Sequence, residues 1–179
     1  RYFWESKNDN LKSYIMEDTQ NFNPMPRIGD AAPDFTALTT KGKIKFSEFA
    51  KDKWVLLFSH PADFTPGCTR EACSIRDIHN DIQSVGLTVA GISPQDEESH
   101  RKFREEYNLP FTLLSDPGKE VIKMYDVDGM FGVGVQRATF LISQDRVIKD
   151  AVMADVRIGR HQEFIEKAIV LRETAGKAR

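Results

Sequence analysis

The segment Trp54–Cys73, WVLLFSHPADFTPGCTREAC, carries the strongest indication of fold in this chain. Its first residues, Trp54–Phe58, are continuously apolar, which is typical of a short strand buried on both faces of a sheet. Thr65 is a favourable N-cap and Pro66 a favourable first helical residue, because proline lacks the N–H group that would be unpaired there. The segment therefore predicts a buried strand, a loop and a helix whose third residue is Cys68. Ligands of open α/β sheets collect at such carboxyl ends of strands.

Short apolar segments and helical patterns alternate along the rest of the chain. This alternation predicts an α/β fold with a mostly parallel central sheet flanked by helices, and an antiparallel pair of strands near the end. The expected strands lie at 35–38, 44–46, 54–58, 87–92, 111–114, 138–142 and 147–152, and the expected helices at 66–85, 95–107, 116–125 and 160–172.

The length and composition predict one domain with a short appendage. The chain has 179 residues, of which 40% are apolar and 29% charged, as in an ordinary globular protein. Residues 1–26 are rich in asparagine and aromatic side chains and close with two prolines, so we interpret them as an N-terminal extension of a domain at 27–179. The extension is either a flexible arm or a segment whose aromatic residues pack on the domain or on a partner subunit.

Charge, hydropathy and cysteine count exclude several classes of protein. The net charge is −2 and the chain has no basic block, which argues against nucleic acid or an anionic membrane as partner. No apolar run approaches the roughly 20 residues of a membrane span. Two cysteines exclude a disulfide-stapled scaffold but do not fix the compartment. We expect the cytoplasm, and because the sequence opens at Arg1, earlier removal of a targeting segment stays open.

Cys68 is the candidate nucleophile. As the third residue of a helix it lies near unpaired backbone N–H groups and the positive end of the helix dipole, which favour a thiolate. The alternative is a small buried apolar residue. A lower pKa alone accelerates the thiol only a few-fold, since nucleophilicity falls with pKa. Further acceleration requires groups aimed at the transition state, such as the Thr65 hydroxyl, first-turn N–H groups or a distant arginine.

The pattern Pro61-x-x-x-Thr65-x-x-Cys68 resembles the active-site motif of the peroxiredoxins, which are thiol peroxidases of the thioredoxin-like superfamily. The resemblance covers about residues 27–172. The segments Gly29–Phe35 and Arg137–Ile142 resemble the opening segment and the arginine-bearing strand of that family. The resemblance implies a thioredoxin-like fold and reduction of hydrogen peroxide or organic hydroperoxides, without a metal or organic cofactor.

The resemblance also implies a role for each motif residue. Cys68 would attack the peroxide O–O bond, giving a sulfenic acid and an alcohol or water. Thr65 would hydrogen-bond the peroxide, and Pro61 would shield the sulfur from water. Arg137 would stabilise the thiolate and the bound peroxide, and Glu71 would hold this arginine in place. Without the resemblance, Arg137 would be interpreted as an ordinary strand-end charge and Glu71 as a solvated helix residue.

Cys73 lies five positions after Cys68. On an ideal helix the two Cα atoms would be about 8.7 Å apart, whereas a disulfide requires roughly 4.4–6.8 Å, so a bond between them needs the first turns to unwind. The spacing resembles that of the Q-type, or bacterioferritin-comigratory, peroxiredoxins. This resemblance implies that Cys73 resolves the sulfenic acid as an intramolecular disulfide, which thioredoxin, glutaredoxin or a similar thiol then reduces. The alternative is that Cys73 is a buried helix residue.

A second resemblance conflicts with the first. The segment Phe58–Pro66 and Ile158-Gly-Arg resemble the one-cysteine peroxiredoxins, which implies resolution by an external thiol. Some members of that subfamily have a phospholipase activity, but Ser47 and Lys53 replace its expected histidine and serine, so we predict no lipase activity.

Other functions and a homodimer stay open from sequence. A relative of the same fold could be a redox sensor or a holdase chaperone. A metal-binding module of Cys68, Cys73 and His79 has poor geometry, because three ligands would lie on one helix with Cys73 turned away. A pocket rimmed by His60, Phe64 and Phe131 would favour organic hydroperoxides.

Overall fold

The computed structural model describes residues 26–177. Strands and helices alternate as the sequence predicts, so the α/β class is confirmed. The strands are β1 (Thr36–Thr39), β2 (Gly42–Lys45), β3 (Trp54–Ser59), β4 (Leu87–Ser93), β5 (Thr112–Ser115), β6 (Ala138–Ile142) and β7 (Ile148–Met153). The helices are α1 (Phe46–Phe49), α2 (Pro66–Asp77), α3 (His79–Ser84), α4 (Glu97–Tyr107), α5 (Glu120–Met124) and α6 (Gly159–Lys177), with a 3₁₀ turn at Met130–Gly132.

One mixed sheet runs through the domain in the order β2-β1-β5-β4-β3-β6-β7. Parallel pairing joins β3 to β4 and β4 to β5. The other pairings, β1–β2, β1–β5, β3–β6 and β6–β7, are antiparallel. Parallel pairing is therefore limited to the centre of the sheet, and the expectation of a mostly parallel sheet was wrong in this detail. The reason is that β6 returns beside β3 in the opposite direction, which periodicity along the chain does not reveal.

Strand β3 is buried on both faces, as its continuous apolar run predicts. Val55 and Leu57 belong to one apolar cluster, and Leu56 and Phe58 belong to the cluster on the opposite face of the sheet. Each such side chain contributes roughly 1.5–3 kcal/mol by burial. The strand is thus fixed on both sides, and its carboxyl end at Ser59 gives the loop that follows a firm starting point.

The predicted helix over 66–85 is two helices. The backbone leaves the helical conformation at Ile78, with φ −105° and ψ 11°, and α3 then runs to Ser84 before Gly86. Apolar spacing continues across the break, because Ile75 and Ile82 are buried in the same cluster. Hydrophobic periodicity reports which face is buried and not a change of axis, so the sequence did not show the break.

Two further expectations concern the N-terminal extension and membrane-spanning helices. The predicted extension lies outside the described residues apart from its last residue, Pro26. Within residues 26–177, no helix combines the length and the apolar character needed to cross a bilayer.

Candidate active site

Cys68 lies where helix-capping rules place it. Helix α2 begins at Pro66 after Thr65 in the N-cap position, so Cys68 is its third residue. The thiol is 1% exposed. A buried sulfur in the first turn faces backbone N–H groups that have no partner within the helix. The helix entry predicted from Thr-Pro-Gly-Cys is therefore confirmed.

The loop that leads into α2 is set by an unusual backbone conformation. Phe64 has a left-handed conformation with φ 62°, which costs roughly 1–2 kcal/mol for a residue with a Cβ. Its ring packs edge-on against Phe103 of α4 at a centroid distance of 5.2 Å, and this contact offsets the strain. The Thr65 hydroxyl donates to Ala62 O at 3.1 Å rather than capping the helix. Pro61 is half-buried in the same loop.

Arg137 connects the start of β6 to helix α2. Its side chain is buried, and Nη1 donates to Glu71 Oε2 at 2.9 Å. Burial lowers the pKa of Arg137, but charge interactions and hydrogen bonds with Cys68 and Glu71 outweigh burial and raise it overall. The guanidinium thus interacts with both the sulfur and the carboxyl group. The arginine, glutamate and cysteine that the sequence separates are brought together.

Gly67 is the point at which Arg137 approaches α2 most closely. A Cβ at this position would lie 2.7 Å from Arg137 Nη2 and 3.2 Å from Ile158 Cδ1. Real Cβ atoms do not approach another atom to 2.7 Å, so a side chain larger than hydrogen would displace the guanidinium. Gly67 has no local sequence signal, because its role depends on a residue 70 positions away.

Glu71 is a buried acid rather than a solvated helix residue. It is 1% exposed. Burial raises the pKa of Glu71 to about 7, against the opposing attraction and hydrogen bond of Arg137. The carboxyl group can therefore change its protonation state near neutral pH, next to the arginine that faces Cys68.

Cys73 lies on the same helix as Cys68 but not beside it. Both cysteines are free thiols, and Cys73 is half-buried. Arg76, one turn further on, donates to Tyr107 O at 2.8 Å and ties α2 to α4. The pKa of Arg76 is raised by its hydrogen bond to Asp77 and also by its interactions with Cys73. The structure therefore holds Cys73 in a fully formed helix, away from the Cys68 sulfur.

A buried polar cluster supports the loop from the other side. Asp63 Oδ1 accepts from His60 Nε2 at 2.9 Å, and Asp63 Oδ2 accepts from His100 Nδ1 and from the Ser99 hydroxyl, both at 2.8 Å. Burial acts to raise the pKa of Asp63, but these hydrogen bonds and the nearby imidazoles lower it well below its ordinary value. Burial lowers the pKa of His60. The cluster joins the loop to α4.

The sequence left His60 open, either lining the site or as a satisfied core histidine, and the structure buries it at 1% exposure in this cluster. Asp63 and His100 were not identified from sequence. His100 lies 37 positions from Asp63. Part of the cluster could have been predicted from sequence, because His60 and Asp63 lie close together in the same loop. The partner on α4 becomes evident only when the sheet brings the two elements together.

The same cluster is where a metal ion would find ligands among the described residues. Ligand atoms of His60, Asp63 and His100 all lie within 4.8 Å of one another. Both Asp63 oxygens already accept hydrogen bonds from this cluster. The set of Cys68, Cys73 and His79 that the sequence offered as a rival does not form such a group in the described part of the chain.

The arrangement defines a class of protein: an α/β domain with a buried thiol in the first turn of a helix, facing an arginine. Comparison with known proteins makes this specific. Residues 28–151 match the AhpC/TSA family. The putative peroxiredoxin Bcp of Coxiella burnetii is 41% identical over 140 residues, which span 75% of this chain and 92% of that relative.

Solved structures agree with the family match. Peroxidoxin BcpB of Mycobacterium tuberculosis superposes with a TM-score of 0.75 at 31% identity, covering 82% of this chain and 97% of that one. A yeast mitochondrial 1-Cys peroxiredoxin also gives a TM-score of 0.75, at 29% identity over 86% of this chain and 80% of that one. The chain belongs to the AhpC/TSA family, within its Q-type (Bcp) peroxiredoxins. It has the thioredoxin-like fold of that family and is a thiol-dependent peroxidase.

Proposed function

We propose that Cys68 is the peroxidatic cysteine of this enzyme. The observation that carries the proposal is the contact of Arg137 with Cys68 at the first turn of α2, supported on the far side by Glu71. In the reaction, the Cys68 thiolate forms a bond to one peroxide oxygen while the O–O bond breaks. The oxygen bound to sulfur keeps its hydrogen and becomes sulfenic acid, and the leaving oxygen takes up a proton to give water or an alcohol.

The neighbouring groups are suited to this step. Negative charge moves from sulfur to the leaving oxygen, and the Arg137 guanidinium and first-turn N–H groups are fixed donors for both. Thr65 donates its proton to Ala62 O, which leaves its oxygen able to accept a hydrogen bond, and we assign it to accepting from a peroxide O–H. Pro61 is the remaining motif residue, and we assign it to excluding water from the sulfur.

We propose that Cys73 resolves the sulfenic acid. Attack of the Cys73 thiolate on Cys68 sulfenic acid forms the S–S bond and releases hydroxide, which takes up a proton to give water. The step requires α2 to unwind, and the contact between Arg76 and Tyr107 must break for Cys73 to move. Thioredoxin, glutaredoxin or a similar thiol would then reduce the disulfide.

External resolution is the alternative. The yeast mitochondrial 1-Cys peroxiredoxin, which resolves its thiol via the glutathione and thioredoxin systems, has a similar fold. The position of Cys73 inside an intact helix is compatible with that route as well.

Three proteins test these assignments: wild type, Cys68→Ser and Cys73→Ser. We expect Cys68→Ser to abolish peroxide consumption, and one equivalent of peroxide to convert wild type to a product 2 Da lighter by mass spectrometry. Cys73→Ser should stop at a Cys68 sulfenic acid that dimedone traps. Unchanged peroxide consumption in Cys68→Ser would refute the first assignment. A wild-type sulfenic acid that persists without a disulfide would refute the second and favour external resolution.

The substrate range and assembly follow as smaller proposals. Phe64 is 42% exposed beside the site, which would favour organic hydroperoxides over hydrogen peroxide, and comparison of the two substrates tests this. The homodimer and the cytoplasmic compartment remain predictions.

A further inference from the structure

Only one of the two carboxyl oxygens of Glu71 accepts a hydrogen bond from the described residues. Oε2 accepts from Arg137, whereas Oε1 is buried and has no hydrogen-bond partner among the described residues. A buried carboxylate oxygen left in this way has lost its contact with water and gained no hydrogen bond in exchange, which is unfavourable. A titratable group lies close to it: His161 of α6, whose Nδ1 is 3.7 Å from Oε1.

The hydrogen bonds of His161 fix which of its nitrogens carries hydrogen. Nε2 lies 3.0 Å from Ala154 O, and a carbonyl oxygen can only accept, so Nε2 is protonated. Nδ1 lies 2.9 Å from the Thr139 hydroxyl. In a neutral ring Nδ1 is therefore an acceptor that receives the Thr139 proton. The ring is 1% exposed.

The number of protons on Glu71 and His161 decides whether the two groups can form a hydrogen bond. With Glu71 ionised and His161 neutral, a negatively charged oxygen lies 3.7 Å from a nitrogen that carries no hydrogen and whose lone pair accepts from Thr139. One added proton removes this conflict: on Nδ1 it can point to Oε1, and on Oε1 it can point to Nδ1 once the Thr139 hydroxyl has turned away from the single lone pair of that nitrogen. The gap of 3.7 Å closes to hydrogen-bond length by a small side-chain movement.

We infer that His161 is a positioning residue of the peroxidase site, which shares one buried proton with Glu71 and thereby sets how much of the charge of Arg137 is available to Cys68. With the proton present, Glu71 is neutral and Arg137 acts on the thiolate with its full charge. When the proton is lost to solvent at higher pH, the Glu71 carboxylate neutralises Arg137 and adds a second anion near the sulfur. The inference rests on the proposed role of Cys68 and Arg137.

The other charged groups around Glu71 and His161 do not remove the effect of pH on how Arg137 acts on Cys68. Arg137 and Arg160 disfavour a proton on His161, whereas Asp155 favours one. Burial lowers the pKa of His161 and raises that of Glu71 to about 7. The proton therefore resides mainly on Glu71, with His161 as its acceptor. The charged or titratable groups that face Arg137 in turn are Cys68, Glu71, His60 and His161.

The test is the pH dependence of Cys68 oxidation by hydrogen peroxide in a Cys73→Ser background. We expect the rate of Cys68 oxidation to follow a bell-shaped pH profile. Its upper limb, on the high-pH side, should fall by about tenfold, the effect of one pKa unit. Glu71→Gln should abolish the upper limb, because an amide keeps the hydrogen bonds to Arg137 and His161 and cannot ionise. His161→Leu should move the midpoint of the upper limb by about one pH unit. His79→Leu, which removes another buried histidine, should leave the midpoint unchanged.

A second measurement does not depend on any variant's activity. In wild type labelled with ¹⁵N-histidine, the Nδ1 signal of His161 should change at the same pH as the upper limb. The inference is overturned if His161→Leu folds and leaves the midpoint in place, or if the His161 signals are constant across it. Failure of the Cys68 assignment would be recognised separately, since peroxide consumption would then survive Cys68→Ser while the histidine titration is unaffected.

Discussion

At the scale of single residues, the site depends on how closely Arg137 can approach the first turn of α2. The guanidinium lies so close to Gly67 that an added methyl group there would be only 2.7 Å from Nη2. The same arginine is held by Glu71 from the side. A hydrogen atom as the side chain of Gly67 is thus a condition for the arginine to reach the sulfur.

Substitution of this glycine gives a test of that geometry. We expect Gly67→Ala to lower kcat/KM for peroxide by at least about tenfold, because fixed donors displaced by an ångström lose most of their effect. The helix itself should tolerate alanine, which is a better helix former than glycine. Steady-state peroxidase kinetics and thermal unfolding check both parts.

The matched control is Gly118→Ala, where the added Cβ would have an ordinary contact of 3.7 Å with Glu120 Cγ. Gly118→Ala should retain wild-type kinetics. An active, folded Gly67→Ala enzyme would show that Arg137 is not held as the geometry indicates.

Residue roles were predictable to different degrees. The place of Cys68 in the first turn followed from the capping preferences of Thr65 and Pro66, which are local. Arg137 and Glu71 were assigned by family resemblance alone, because no local rule indicates that an arginine 69 positions from Cys68 meets it. His161 and Gly67 were not identified, since their contacts form only in the folded chain.

At the scale of elements, the loop between β3 and α2 is fixed by helix α4. Asp63 accepts hydrogen bonds from His60 in the loop and from Ser99 and His100 in α4. Phe64 packs on Phe103 of the same helix. The elements that carry Cys68 are thus positioned by a helix that contributes no motif residue.

Replacing Asp63 tests this support. Asp63→Asn keeps the shape but turns an acceptor into a donor facing an N–H or O–H group, so the free energy of unfolding should fall by roughly 1–3 kcal/mol. The pKa of Asp63 lies below its ordinary value of 3.8, so its stabilisation is present above that pH and is lost as pH falls below it. Urea unfolding at pH 7 and pH 3 should therefore show a larger difference between wild type and variant at pH 7.

Asp81→Asn is the control, because Asp81 is exposed on α3. Its unfolding free energy should match wild type at both pH values. Equal stability of Asp63→Asn and wild type at pH 7 would mean that the cluster does not anchor the loop.

The elements themselves were largely predictable because periodicity and turn residues are local signals. Strand β3, helix α4 and the β6–β7 pair lie within a few residues of expectation. The pairing directions and the break at Ile78 were not predictable, since they depend on which strand lies beside which and on packing across the sheet.

At the scale of the whole molecule, Glu71 and His161 have opposite effects on stability as pH changes. The pKa of Glu71 is raised from 4.5 to about 7, so its contribution is fully present below 4.5 and is lost as pH rises to 7. The pKa of His161 is lowered from 6.5, so its contribution is present above 6.5 and is lost as pH falls. Folding therefore places one proton on Glu71 and removes one from His161, so the pair neither gains nor loses a proton overall. The two opposite changes in the free energy of unfolding with pH largely cancel in wild type.

Replacing either Glu71 or His161 should reveal the pH dependence of the free energy of unfolding that the other residue contributes. His161→Leu should lose stability relative to wild type as pH rises from 4.5 to 7, by up to about 3 kcal/mol at about 1.4 kcal/mol per pKa unit. Glu71→Gln should instead lose stability relative to wild type as pH falls below 6.5. Urea unfolding across pH 4.5 to 8 measures both differences, and the double variant should restore a flat profile because neither titrating group remains. Parallel pH profiles for wild type and both single variants would show that no proton is shared between α2 and α6.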